Sequence, residues 1–117
     1  MCEFNSQEGI LVEETASSNM VMNNTCRWNQ NGIQIYSSVV GPVQNNFVIN
    51  NVLVENKGDG LTAGGYGHDA TRMSLHNVFA SNFLLNNGPG RDGAQTNVAH
   101  GAVSGKFLGC GLLTGWG

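Results

Sequence analysis

The stretch NNFVINNVLVENKGDGL, residues 45–61, decides how this chain is read. Asparagines, β-branched residues and a Gly-Asp-Gly turn follow one another in it so closely that no 3.6-residue periodicity fits. Strands of about four to six residues, separated by Gly- and Asn-rich turns, do fit, because Gly and Asn accept the positive φ of a tight bend. The question is why polar amides should border an apolar run on both sides.

Working outward, the pattern recurs. MVMNNTCRWN (20–29), FVINNVLVEN (47–56) and MSLHNVFASN (73–82) align with offsets of 47 − 20 = 27 and 73 − 47 = 26. In this alignment Asn24, Asn51 and Asn77 share one column, Asn29, Asn56 and Asn82 a second, and Asn23, Asn50 and His76 a third. A glycine landmark precedes each apolar start, in Glu8-Gly9-Ile10, Asn31-Gly32-Ile33, Asp59-Gly60-Leu61 and Asp92-Gly93-Ala94. The units therefore begin near residues 9, 32, 60 and 93; the fourth, AVSGKFLGCG (102–111), places Gly111 in the column of Asn82 and is incomplete.

Self-similarity at this period predicts a single all-β unit over residues 1–117, a stack of about four coils with equivalent strands in parallel register about 4.8 Å apart. A buried asparagine at each corner then bonds the coil above and the coil below, and the branched apolar residues fill a narrow interior. The repeat G-I-x-I…V-I-N-N-x-V-x-x-N resembles the right-handed parallel β-helix superfamily typified by pectate lyases, polygalacturonases and phage tailspikes, over about residues 9–111. That resemblance implies a right-handed parallel β-helix solenoid and a carbohydrate-active protein acting on an acidic polysaccharide as lyase, glycoside hydrolase or epimerase. It also implies a parent protein that is extracellular, periplasmic or virion-associated. The alternative is a noncatalytic stalk, adhesin or tailspike shaft. The incomplete fourth unit predicts a fragment of a longer solenoid that self-associates through its open end coil.

Composition narrows the partners. The net charge is −3, and the five cations, Arg27, Lys57, Arg72, Arg91 and Lys106, are scattered, which argues against nucleic acid. No apolar run reaches the roughly 18 residues of a membrane span, and MCEFNSQEGI lacks the basic start and apolar core of a signal peptide. Cys2, Cys26 and Cys110 show no metal-ligand spacing and read as packing residues. Asn23-Asn24-Thr25 matches a glycosylation sequon, but the asparagines are read as structural.

Three groups of residues are candidates for chemistry. Counting from each landmark glycine, Ile10 and Val12, Ile33 and Ile35, Leu61 and Ala63, and Ala94 and Thr96 point inward, while Leu11 and Glu13, Gln34 and Tyr36, Thr62 and Gly64, and Gln95 and Asn97 point out. Tyr36 can stack on a sugar and Gln34, Gln95 and Asn97 can hydrogen-bond to it; the same face also suits plain solvent. The column Glu8, Asn31, Asp59, Asp92 sets acids on neighbouring coils, on the order of 5 Å apart, the separation of a retaining glycosidase pair or of carboxylates sharing a calcium ion; Asp before Gly is also ordinary turn chemistry. In GGYGHDATRMSLH (64–76), His68 beside Asp69 offers a general base with a charge partner, and Arg72 a cation for a uronate. Tyr66-Gly67-His68-Asp69 with Arg72 is similar to the Tyr-Gly…His-Asp…Arg segment of mannuronan C5-epimerases, although the Asp-Pro expected before the histidine is missing. The similarity implies His68 and Asp69 as catalytic residues, with Tyr66 and Arg72 binding substrate. His76 and His100 are read as structural.

Overall fold

The computed structural model describes residues 1–37, 41–65 and 74–88, together with the backbone of three strands at 94–97, 103–108 and 111–113. Among the described residues there is no helix. The chain opens with β1 (Cys2–Glu3) and then runs through β2 (Glu8–Glu13), β3 (Met20–Met22) and β4 (Thr25–Arg27). The next passage contains β5 (Asn31–Ser37), β6 (Val43–Gln44), β7 (Phe47–Ile49) and β8 (Val52–Val54). β9 (Leu61–Gly65), β10 (Ser74–Ala80) and β11 (Phe83–Leu85) form the third, and β12 (Ala94–Asn97), β13 (Val103–Leu108) and β14 (Gly111–Leu113) the fourth.

These strands make three sheets, and every strand pairing is parallel. Sheet I holds β2, β5, β9 and β12; sheet II holds β3, β7, β10 and β13, with β6 beside β10; sheet III holds β1, β4, β8, β11 and β14. The chain thus visits the sheets in one cyclic order, and each strand lies against its counterpart from the passage before.

The interior follows from strand length. In the three-residue strands only the central side chain points inward, and with Phe79 of β10 and Cys2 of β1 these make the columns Val21, Val48, Phe79 in sheet II and Cys2, Cys26, Leu53, Leu84 in sheet III. Sheet I contributes Ile10, Ile33, Leu61 and Val12, Ile35, Ala63. Residues at the heart of these columns are fully buried, and burial of each large apolar side chain contributes about 1.5–3 kcal/mol.

The corners answer the question raised by residues 45–61. Three asparagine ladders run along the stack: Asn5, Asn29, Asn56, Asn87; Asn24, Asn51, Asn82; and Asn19, Asn46, Asn77. Each rung follows one rule. The backbone N–H and the Nδ2 of one asparagine both donate to Oδ1 of the next, as Asn29 does to Asn56 at 3.0 and 3.1 Å. The second Nδ2 proton reaches back to a main-chain carbonyl, Cys26 O for Asn56 at 3.1 Å and Leu53 O for Asn87 at 2.8 Å. An internal amide therefore makes all four of its hydrogen bonds while buried.

Each ladder asparagine is preceded by a residue in the left-handed region. Of the eleven described non-glycine residues with positive φ, ten stand immediately before a rung, from Phe4 (φ 61°) to Asn86 (φ 53°); Glu14 is the exception. A left-handed L-residue costs roughly 1–2 kcal/mol. Four amide hydrogen bonds at about 0.5–1.5 kcal/mol each outweigh that cost, and they explain why the bends do not all need glycine. The bend residue points outward: Asn23, Asn50 and Ser81 are exposed, as are Asn45 and His76.

Sheet I does need glycine. A Cβ on Gly32 would collide with the main-chain oxygen of Gly60 and sit 3.1 Å from Asn56 Nδ2, and one on Gly9 would lie 2.8 Å from both Asn29 Nδ2 and Gly32 O. Gly9 and Gly32 mark where neighbouring passages approach too closely for a side chain.

The register of the third unit differs from the one the sequence alignment predicts. β10 pairs with β7 through Val78↔Phe47, Phe79↔Val48 and Ala80↔Ile49, so the third unit is offset by 31 residues, not 26. Asn82 stacks on Asn51 and Asn87 on Asn56, while Asn77 belongs with Asn46. His76 is an outward bend residue at the level of Asn45, and Gly111 pairs with Phe83 rather than occupying the column of Asn82. Asparagine recurs every five residues within a unit, so sliding the unit by five lays amide on amide. The burial of Phe79 and Leu84 against Val48 and Leu53 favours the true register.

Candidate functional site

The outer face of sheet I carries a groove of about 350 Å³ lined by Gln7, Glu8, Leu11, Glu13, Gln30, Gln34 and Tyr36. Strand pairing sorts these residues into two rows. β2 supplies Glu8, Leu11 and Glu13; β5 supplies Gln34 beside Leu11 and Tyr36 beside Glu13. Gln7 and Gln30 close one end, where Gln30 N donates to Gln7 O at 2.9 Å. The rows exist because alternate residues of these longer strands face outward while Val12, Ile33 and Ile35 are buried. Leu11 gives the floor an apolar patch, exposed to 45%.

Both rows continue into the next passage. Gln34 pairs with Thr62, and Tyr36 with Gly64, and both Thr62 and Gly64 are buried. In the following strand Gln95 pairs with Thr62 and Asn97 with Gly64, so two further amide-bearing residues stand in the same columns of sheet I.

The acid column divides differently. Asn31 stands between the two described acids: its Nδ2 donates to Glu8 Oε1 at 3.3 Å, and its Oδ1 accepts from the backbone N–H of Asp59 at 3.0 Å. Asp59 is buried, and its Oδ2 accepts from Thr62 Oγ1 at 3.3 Å, which anchors the turn before Gly60. Asp92 lies outside the described residues, as do Tyr66, His68, Asp69 and Arg72. Within the groove, Glu8 and Glu13 stand at opposite ends of β2, with Cα atoms roughly 16 Å apart, far beyond the roughly 5 Å of a retaining pair. Among the described residues no three His, Cys, Asp or Glu side chains gather into a metal-binding group, and no helix is long and apolar enough to cross a membrane.

A second polar cluster occupies the corner between sheets III and I. Arg27 Nε donates to Glu3 Oε2 at 2.8 Å, and its guanidinium lies 4.1 Å from the centre of the Trp28 ring. Trp28 Nε1 donates to Glu55 Oε2 at 2.7 Å, and its ring lies 4.9 Å from that of Phe4. This cluster joins three successive passages, and its cation is already engaged. A half-exposed ion pair of this kind contributes less than about 1 kcal/mol, so the cluster acts mainly by packing.

The thiols of Cys2 and Cys26 meet in the sheet III column. Burial, reinforced by the adjacent Cys2 thiol, pushes the Cys26 thiol from its ordinary 9.0 up to about 12. It is a packing residue, inert at neutral pH.

Comparison with protein-family models, with curated proteins and with solved structures finds no match.

Proposed function

We propose that the three sheets are the faces of a right-handed parallel β-helix, and that the groove on sheet I binds an extended glycan. Cyclic visiting of three parallel sheets supports the solenoid, and the right-handed rule for parallel crossovers supports the hand. The observation that carries the binding reading is the groove: an aromatic ring, an apolar floor and a file of glutamines set in two parallel rows. A pyranose presents an apolar face and a rim of hydroxyls, and stacking on Tyr36 with amide hydrogen bonds from Gln7, Gln30 and Gln34 satisfies both.

Glu8 and Glu13 decide the sugar class. Glu13 beside Tyr36, and Glu8 at the far end of β2, repel a uronate and accept hydrogen bonds from hydroxyl or amino groups, so the groove suits a neutral or amino-sugar chain. Processing of an acidic polysaccharide rests on Arg72 and on the His68–Asp69 pair, outside the described residues. A lyase or epimerase reading therefore belongs to that segment and a binding reading to sheet I.

Calorimetric titration with neutral, amino-sugar and uronate oligomers of about six residues tests this. The neutral or amino oligomer binds, and Tyr36→Ala weakens it about tenfold, the loss of roughly 1.4 kcal/mol of stacking. Preferential binding of the uronate oligomer, or binding that survives Tyr36→Ala combined with Gln34→Ala, overturns the assignment.

A further inference from the structure

The inward column of sheet III begins with two thiols. β1 and β4 pair through Cys2↔Cys26 and Glu3↔Arg27, so Cys2 and Cys26 are direct neighbours on adjacent strands, and both pack against the core. Parallel neighbours hold their Cα atoms about 4.8 Å apart, inside the roughly 4.4–6.8 Å that a disulfide spans. Both cysteines are free thiols, hydrogen-bonded to each other; Cys110 lies outside the described residues. They differ in access, because Cys26 is fully buried whereas Cys2 is half-buried. The strand that carries Cys2 is also lightly held. It is two residues long and has a neighbouring strand on one side only. Its remaining ties are the half-exposed pair of Glu3 with Arg27 and the exposed rung at Asn5, and exposed contacts of this kind stabilise little.

We propose that Cys2 and Cys26 are a site of oxidation, forming a disulfide by exchange with a small disulfide such as oxidised glutathione, and that this bond fastens the first passage to the second. Cys2 is the sulfur a reagent reaches. Its thiolate attacks one sulfur of the reagent, a Cys2–glutathione bond forms, and one glutathione thiolate leaves. Cys26 then gives its proton to solvent and attacks Cys2 Sγ, which forms the protein disulfide and releases the second glutathione. The two cysteines are oxidised, the reagent is reduced to two thiols, and no further reactant is needed. Burial holds the Cys26 thiol protonated, pushed up to about 12, so the closing step is slow at neutral pH and accelerates about tenfold per pH unit. The bond closes a loop of 26 − 2 = 24 residues that contains β2, and with it Glu8, Leu11 and Glu13, one row of the sheet I groove.

Incubation of the full chain with oxidised glutathione, followed by alkylation of the remaining thiols and peptide mapping by mass spectrometry, tests this. At about pH 7 the expected product carries glutathione on Cys2, and at about pH 9 it is a chain lighter by two hydrogens in which Cys2 is linked to Cys26. The linked form unfolds at a urea concentration about 2 M above that of the reduced form, the effect of closing a loop of this length in the unfolded chain. In Cys26→Val the reaction stops at the Cys2 adduct at both pH values, and in Cys2→Ser, with circular dichroism showing it folded, Cys26 stays a thiol. The proposal is overturned if the wild type ends at about pH 9 as a dithiol or a lasting adduct. It is equally overturned if the mapped bond includes Cys110 or joins two chains, or if the linked form melts with the reduced one. The bond forms or fails without regard to what the groove binds, so this proposal and the glycan reading stand or fall separately.

Discussion

Replacing Asn56 by leucine tests the ladder directly, because the two side chains have nearly the same shape and differ in their polar atoms. Asn56 is 2% exposed and makes four side-chain hydrogen bonds. Leucine removes them all. Asn29 is left with a buried N–H and one Nδ2 proton unmet, and Cys26 O loses a donor, whereas Asn87 Oδ1 keeps the backbone N–H of residue 56. Four bonds at about 0.5–1.5 kcal/mol each give a loss of roughly 2–6 kcal/mol, of which better apolar burial recovers about 1. The expected destabilisation is about 3–4 kcal/mol, a large share of the 5–15 kcal/mol that holds a typical domain together. Urea melts followed by circular dichroism measure it; with a slope near 1.5 kcal/mol per M, the midpoint falls by about 2 M. Asn5 heads the same ladder in solvent, and its side chain makes one hydrogen bond, to Asn29 at 2.9 Å, so Asn5→Leu costs less than about 1 kcal/mol. Equal shifts for the two variants, or less than about 1 kcal/mol for Asn56→Leu, would refute the claim that buried rungs carry the corners.

The bends, the glycine column and the buried thiol each yield a further expectation. Ser81, exposed with φ of 54°, gains about 0.5 kcal/mol when replaced by glycine and loses more than about 1 kcal/mol when replaced by valine, readable in the same melts. Gly32→Ala forces a methyl group against the Gly60 carbonyl and destabilises by about 3 kcal/mol, while alanine at exposed Thr15 changes stability by less than about 0.5 kcal/mol. Cys26 stays neutral in the fold and ionises once unfolded. Its contribution is therefore complete below pH 9.0 and lost as pH rises toward about 12; Cys26→Val flattens this alkaline arm of the stability curve.

The strands, the turns and the burial of asparagine were legible because each depends on short-range chemistry. The alternation in GIQIYSS places Gln34 and Tyr36 outward, and the Gly-Asp-Gly turn announces Asp59 as a corner. The register of the third unit was not legible, since a five-residue asparagine period matches itself after a five-residue slide; only the packing of Phe79 over Val48 and of Leu84 over Leu53 distinguishes the two. The same limit applied to the groove. Tyr36, Gln34, Leu11 and Glu13 follow from strand parity, but Gln7 and Gln30 lie in the turn before each strand, and their meeting depends on how two passages stack. Asp59 is buried and accepts from the Thr62 hydroxyl, while Asp92, the other acid of the predicted pair, lies outside the described residues.

The ladders also set rules for gene duplication. In the three units whose corners are described, the first and last ladder asparagines are ten residues apart (29 − 19, 56 − 46 and 87 − 77), whereas the connection from last back to first is 46 − 29 = 17 residues in one passage and 77 − 56 = 21 in the next. Among the described units the length thus varies in one interval and is constant in the other. Because Asn56 occupies the place of Asn29, copying residues 30–56 in tandem joins the new segment at a junction chemically like the old one and brings each new Oδ1 opposite a waiting pair of donors. Each such copy is expected to add one rung to every ladder, so that the number of rungs and the residues facing outward on sheet I can change independently.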